Sequence, residues 1–215
     1  MNLGAKGRML KALPESEPNQ RGLLPMGDDK ERANSGIAGA FLRTYYDAGD
    51  AVQTGSTWKD TWWMGNRLQK LPMDLWIYQE IMFATRPDII IECGTAFGGS
   101  ALYLANLCDL LGVGEVLTVD IDDWDVEVSG YKGRPSHPRI TYLKGSSVDP
   151  LVVAGVTARI PEGAEVMVIL DSDHSYEHVC AELEIYAPLV TIGQFLIVED
   201  TMLNGYPVHD DFGPG

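Results

Sequence analysis

The sequence predicts an α/β domain built on a mostly parallel sheet with helices on both faces. Three observations carry that reading. From Ile89 onward, short apolar runs alternate with stretches of helical period. The runs are nearly free of polar residues, as in Val166-Met167-Val168-Ile169-Leu170, so both faces of each strand must be covered. Each run then gives way to glycine or to a polar group, which collects chemistry along the carboxyl edge of the sheet.

In order, strand Ile89–Glu92 runs into the turn Gly94-Thr95-Ala96-Phe97-Gly98-Gly99-Ser100. A helix follows over Ser100–Leu111, with Leu102, Ala105, Leu107, Leu110 and Leu111 spaced for one apolar face. The glycines let backbone and ligand approach closely, and the free N–H groups at the helix start favour polar or anionic ligand groups. Strand Glu115–Asp120 comes next, then a polar loop with aromatics over Ile121–Pro138. Strand Arg139–Leu143 precedes a helix near Val148–Ala158, strand Glu165–Leu170 precedes helix Ser175–Leu189, and strand Gln194–Val198 closes the series.

Upstream, residues 1–33 are rich in Pro, Gly and charge and are expected to form a flexible extension. Residues 34–86 read as a helical and aromatic cap, with a short helix over Ile37–Tyr46 and another over Met73–Phe83 after Pro72. Between them stand Trp58, Trp62 and Trp63, which read equally well as a packing clamp or as an aromatic wall beside a ligand. Residues 87–215 form the α/β domain. The seventeen residues after Val198 contain no strand pattern.

With 215 residues, 45% hydrophobic and 22% charged, the chain has the composition of an ordinary globular protein with one sizeable core. A formal charge of -15 argues against nucleic-acid or anionic-membrane surfaces, which would repel it. The three cysteines, Cys93, Cys108 and Cys180, are too few and scattered for a disulfide framework or a zinc motif. No stretch is apolar enough for a signal peptide or a membrane span. A cytoplasmic protein acting on a small molecule, with self-association left open, is the expectation.

Five strand ends carry the chemistry: Glu92 with Gly94, Gly98 and Gly99; Asp120; Gly145-Ser146-Ser147; Asp171-Ser172-Asp173-His174; and Glu199-Asp200-Thr201. Asp120 lies 26 residues beyond Gly94, a spacing suited to an acid that accepts hydrogen bonds from ribose hydroxyls. The glycine pattern departs from the dinucleotide fingerprint Gly-x-Gly-x-x-Gly, which weakens a dehydrogenase reading. A single nucleoside without pyrophosphate fits better, as in S-adenosylmethionine. Thr95, Ser100, Ser146 and Ser147 join the glycines as candidate cofactor contacts. Asp171, Glu199 and Asp200 would meet at neighbouring strand ends as hard oxygen ligands for Mg²⁺ or another divalent cation. Asp173 competes with Asp171 for that role, and the spacing does not separate them. His174 is the candidate general base, with Asp171 as its catalytic neighbour, whereas His178 reads as structural.

Several segments resemble the cephalosporin hydroxylase / rhamnosyl O-methyltransferase family over about residues 58–215: Trp62-Trp63-Met64-Gly65, Pro72-Met73-Asp74-Leu75-Trp76, Arg86-Pro87-Asp88, Ile90-Ile91-Glu92-Cys93-Gly94-Thr95, Gly98-Gly99-Ser100-Ala101 and Val198-Glu199-Asp200-Thr201. The resemblance implies the Rossmann-like methyltransferase fold. It also implies S-adenosylmethionine contacts at Glu92, Gly94, Asp120 and Ser147, a divalent metal at Asp171, Glu199 and Asp200, and a histidine base at His174. Family members act on antibiotic precursors or glycolipid sugars. The methyltransferase sheet normally ends in an antiparallel pair of edge strands. The chain stops at Gly215, so those strands are expected to be missing and the chain to be a fragment. The expected activity is Mg²⁺-assisted O-methylation of a sugar or other small metabolite. The alternative is a non-catalytic or partner-dependent subunit of a modification complex.

Overall fold

Among the described residues two sheets form, one of them only a clasp. The computed structural model describes residues 36–37, 40–41, 44–45, 58–122 and 133–201. Gly36, Ile37, Ala40, Phe41, Thr44 and Tyr45 are helical, in keeping with the helix expected over Ile37–Tyr46. The small sheet is an antiparallel hairpin of β1 (Trp62–Trp63) and β2 (Asn66–Arg67). Strands of two residues are too short to show a period-two pattern, so they are not legible in the sequence. After the hairpin comes helix α1 (Pro72–Thr85), whose first residue is a proline that needs no N–H partner there.

The alternating region makes the main sheet. Its strands are β3 (Ile89–Cys93), β4 (Glu115–Asp120), β5 (Ile140–Lys144), β6 (Val166–Leu170) and β7 (Leu196–Val198). They stand in the order β5-β4-β3-β6-β7, and every neighbouring pair is parallel. Helices α2 (Gly99–Leu111), α3 (Pro150–Thr157) and α4 (Tyr176–Tyr186) form the crossovers. This is the Rossmann-like, doubly covered sheet that the sequence predicted.

Strand alternation divides the core into two layers. Ile90, Val116, Met167 and Ile169 pack with Tyr78 and Met82 of α1 and Ala101, Leu104 and Cys108 of α2. Ile91, Leu117, Val119, Val168 and Leu170 pack on the other face with Val156 of α3 and Tyr186 of α4. Cys93 and Cys108 are buried, as small core residues should be.

Boundaries differ from the sequence reading where local chemistry intervenes. The second crossover helix, α3, starts at Pro150, because the Asp149 carboxylate caps it by accepting from Leu151 N at 2.7 Å. The last expected helix ends at Tyr186 and tightens into a 3₁₀ turn over Ala187–Leu189, where Pro188 cannot donate an α-helical hydrogen bond. Gln194 N donates to Thr191 O in a turn, which delays the last strand to Leu196. The expected extension over 1–33, most of the 121–138 loop and the segment after Thr201 lie outside the described residues, and so does the question of further edge strands. Among the described residues, no helix is long and apolar enough to cross a membrane.

Candidate active site

The strand order reverses at β3, with β4 and β5 to one side and β6 and β7 to the other. A crevice must open between the carboxyl ends of β3 and β6, because their following segments diverge to opposite faces. A cavity of about 620 Å³ lies there. One end is lined by Gly94, Thr95, Ala96, Ser100 and Asp120, with Ser146 and Ser147 beside them. The other end is lined by Asp171, Asp173, His174 and Asp200. Trp58, Leu68 and Gln69 contribute the wall that comes from outside the sheet.

Each side of the crevice is built differently. Gly94 has φ +98°, and a Cβ there would lie 1.9 Å from the Asp171 carbonyl oxygen. Gly99 is equally constrained, since its Cβ would lie 2.1 Å from the Arg67 carbonyl of the hairpin. These two glycines are therefore required by the chain's own crossing segments, whatever the ligand needs. At the end of β4, Asp120 Oδ2 accepts from Thr95 N at 3.0 Å and Ala96 N at 2.7 Å, and Oδ1 accepts from Asp122 N at 3.0 Å. Arg134 stands 3.3 Å from Asp120 Oδ2 and donates through Nε to Ala96 O at 2.9 Å. The turn and its acid thus form one hydrogen-bonded unit before any ligand arrives.

Ser147 is buried under the same end. Its hydroxyl donates to Glu182 Oε1 at 2.5 Å and lies 3.1 Å from His178 Nε2, while Ser172 Oγ donates to the same Glu182 oxygen at 2.6 Å. His178 also lines the cavity and belongs to this hydrogen-bonded network at its wall. Glu92 is fully buried behind the wall and accepts from Thr118 Oγ1 at 2.6 Å. Burial pushes its carboxyl up to about 7, against the opposing pull of Ser100 and Thr118. Glu92, Gly98 and Gly99 do not line the cavity, whereas Gly94, Thr95, Ser100, Asp120, Ser146 and Ser147 do.

At the other end, three carboxylates gather at the ends of β6 and β7. One ligand atom each from Asp171, His174 and Asp200 lies within 4.8 Å of the others. His174 Nε2 is 3.3 Å from Asp200 Oδ2. Asp200 adopts φ +56°, which turns its carboxyl toward this cluster at the cost of a left-handed backbone. Burial and the neighbouring Asp171 charge raise the Asp200 carboxyl to about 6, with His174 and Lys70 opposing. Asp173 is turned to another task, since its Oδ1 accepts from Ser175 N at 2.8 Å at the start of α4. Glu199 is only 8% exposed and does not line the cavity.

Sequence reasoning overlooked two residues, and one of them is Lys70. Its Nζ lies 2.6 Å from Asp171 Oδ2 and 3.2 Å from Glu199 Oε1, with 5% of the side chain exposed. Burial alone would depress this amine, but the Asp171 and Glu199 carboxylates more than reverse that and hold it well above the usual lysine value. A lone lysine among Leu68, Leu71 and Pro72 in so acidic a chain was the available signal. Arg134, inside the polar loop, carried none. Of the tryptophans, Trp58 lines the cavity. Trp63 is a clamp, donating to Asn106 Oδ1 at 2.9 Å and meeting Tyr103 edge-on at 4.9 Å.

The chain is similar to known proteins in sequence and in fold. Residues 55–215 match the family described as rhamnosyl O-methyltransferase/CmcI. The chain belongs to that family. The rhamnosyl O-methyltransferase of Mycobacterium tuberculosis is 36% identical over 186 residues, covering 86% of this chain and 71% of that protein. The protein of the same name from Mycobacterium leprae is 37% identical over 188 residues, covering 86% and 76%. A structure of CmcI with Mg and SAM superposes with a TM-score of 0.53 at 21% identity, over 69% of this chain and 61% of the other. At that identity it speaks for the fold, and the chain spans under two thirds of it. The family and these relatives are named for O-methyl transfer, and the chain is an O-methyltransferase by that membership.

Proposed function

We propose that this enzyme methylates a hydroxyl of a sugar or another small metabolite, with S-adenosylmethionine as donor and a divalent cation such as Mg²⁺ as helper. The observation that carries the proposal is one cavity joining the Gly94–Asp120 unit to the Asp171–His174–Asp200 cluster. Relatives named for rhamnosyl O-methylation support a sugar hydroxyl as acceptor.

The donor set fits a hard cation. Two carboxylates and an imidazole have ligand atoms within 4.8 Å of one another, while Glu199 waits behind Asp171. When bound, the ion would lower the pKa of an acceptor hydroxyl, and S-adenosylmethionine would provide the methyl group. The protein's part is positional and electrostatic. Asp120 and Ser147 orient the nucleoside end, and Asp171 and Asp200 fix the acceptor end. Trp58 and Leu68 exclude water from the wall between them. His174 takes the hydroxyl proton as the oxygen–methyl bond forms and the sulfur–methyl bond breaks, and Asp200 beside Nε2 stabilises the imidazolium.

A second role for His174 is favoured by its distance from the two carboxylates, which equally suits a third ligand. The two roles separate on substitution. As base, His174→Ala leaves Mn²⁺ affinity within about threefold and removes turnover. As ligand, it weakens Mn²⁺ by roughly tenfold or more. The proposed function itself is tested with labelled S-adenosylmethionine on a panel of sugars and small hydroxylated metabolites, with and without chelator. Transfer that chelation leaves untouched would remove the cation from the proposal, and calorimetry showing no cofactor binding would remove the cofactor.

A further inference from the structure

The carboxylate end of the cavity contains a charge arrangement that the reaction alone does not require. Lys70 comes from the segment between the hairpin and α1, outside the sheet that carries every carboxylate it touches. That segment is fastened at the backbone: Lys70 N donates to Thr61 Oγ1 at 3.2 Å, and Tyr45 Oη donates to Lys70 O at 2.9 Å. The ammonium also stands 5.8 Å from the centre of the Tyr78 ring. Burying an ammonium is costly unless it is paired, and burying Asp171 and Glu199 without a cation would be costlier still.

We infer that Lys70 is the tethered cation of this site: its ammonium holds Asp171 and Glu199 while no divalent ion is bound, and competes with that ion for Asp171. The inference rests on the metal reading above and deepens it. Asp171 Oδ2 is engaged at 2.6 Å by Nζ, so an ion using that oxygen must share or displace the ammonium. Glu199 Oε1 faces the same ammonium at 3.2 Å, away from the cavity lining. That oxygen can join Asp171 and Asp200 around an ion only when Lys70 lets it go. The lysine therefore sets both the affinity of the site and whether two or three carboxylates serve it. Its place off the sheet lets it withdraw while β6 and β7 stay fixed.

The test is calorimetric titration of the full chain with Mn²⁺ alone, without cofactor or substrate, alongside thermal unfolding. K70M is expected to bind Mn²⁺ roughly tenfold tighter or more, because a positive charge leaves the ion's immediate surroundings. K70R, which keeps the charge, is expected to stay within about threefold of the wild type. If K70M fails to fold, the comparison of K70M/E199Q with E199Q gives the same readout, since both lack one buried carboxylate charge. The double variant should again bind roughly tenfold tighter. A lysine of merely structural value would lower the melting temperature and leave Mn²⁺ affinity unchanged or weaker, which overturns the inference alone. Absence of Mn²⁺ binding in wild type and all variants overturns the metal reading and the inference together.

Discussion

The two ends of the cavity solve the same problem, an acidic group at a strand end, in opposite ways. At the β4 end, Asp120 is satisfied by the chain itself through two backbone N–H groups of the glycine turn, a third from Asp122, and Arg134. At the β6–β7 end, Asp171, Glu199 and Asp200 share one lysine and one histidine. The first end is preorganised and nearly neutral. The second sets three carboxylates against one lysine and one histidine, and burial together with the Asp171 charge raises the Asp200 carboxyl. A preorganised end suits a neutral sugar ring of a nucleoside, whereas an end with surplus negative charge suits an incoming cation.

Substitutions should break this contrast in graded ways. The largest effect is expected where the two ends touch. G94A places a Cβ into the Asp171 backbone at a positive φ, and should cost about 3 kcal/mol or more in stability by denaturant unfolding. Both ends should fail together, and survival of either cofactor or Mn²⁺ binding at wild-type strength would show that the ends are independent. D171N comes next. It should lower turnover by about 100-fold, or about 2.7 kcal/mol, and weaken Mn²⁺ while leaving S-adenosylmethionine affinity within a few-fold. Equal loss of both ligands would dissolve the division of labour.

Glu92, behind the wall, offers a pH test of the same boundary. Its folded-state carboxyl sits near 7, above the ordinary glutamate value, so the native state binds its proton more tightly than the unfolded chain does. The resulting stability is fully present below about pH 4.3 and is lost as pH rises through about 7. E92Q should remove a loss on the order of 3 kcal/mol between pH 4.5 and 8, read from denaturation curves across pH. An unaltered pH profile would mean that Glu92 is ionised throughout. The smallest effect is expected from D120N, which keeps the acceptor oxygen but weakens the charge. S-adenosylmethionine affinity should fall roughly tenfold with Mn²⁺ affinity unchanged.

Much of the fold was legible because buried parallel strands leave short apolar runs rich in β-branched residues, such as Val166–Leu170, in regular alternation with helical stretches. The hairpin was not legible, because two residues per strand carry no period. The polar strand ends could be read one by one, and Asp120, Ser147, Asp171 and Asp200 do meet on one cavity. Glu199 was read as a metal ligand, and the structure places its Oε1 3.2 Å from Lys70 Nζ, a pairing the sequence did not reveal. Strand position fixes which end a residue occupies, and the neighbouring charge decides where its oxygens point.

By itself the sequence determined the α/β class, the family, the edge of the sheet that carries chemistry and the kinds of groups found there. These follow from period, composition and local motif, which are properties of neighbouring residues. Only the tertiary structure decided how those groups share charge. Lys70 reaches its carboxylates across 101 and 129 positions of chain, taken from its separation from Asp171 and Glu199. Gly94 and Gly99 are glycines because distant backbone passes beside them. Long-range packing sets those distances, and no local pattern in the chain encodes them.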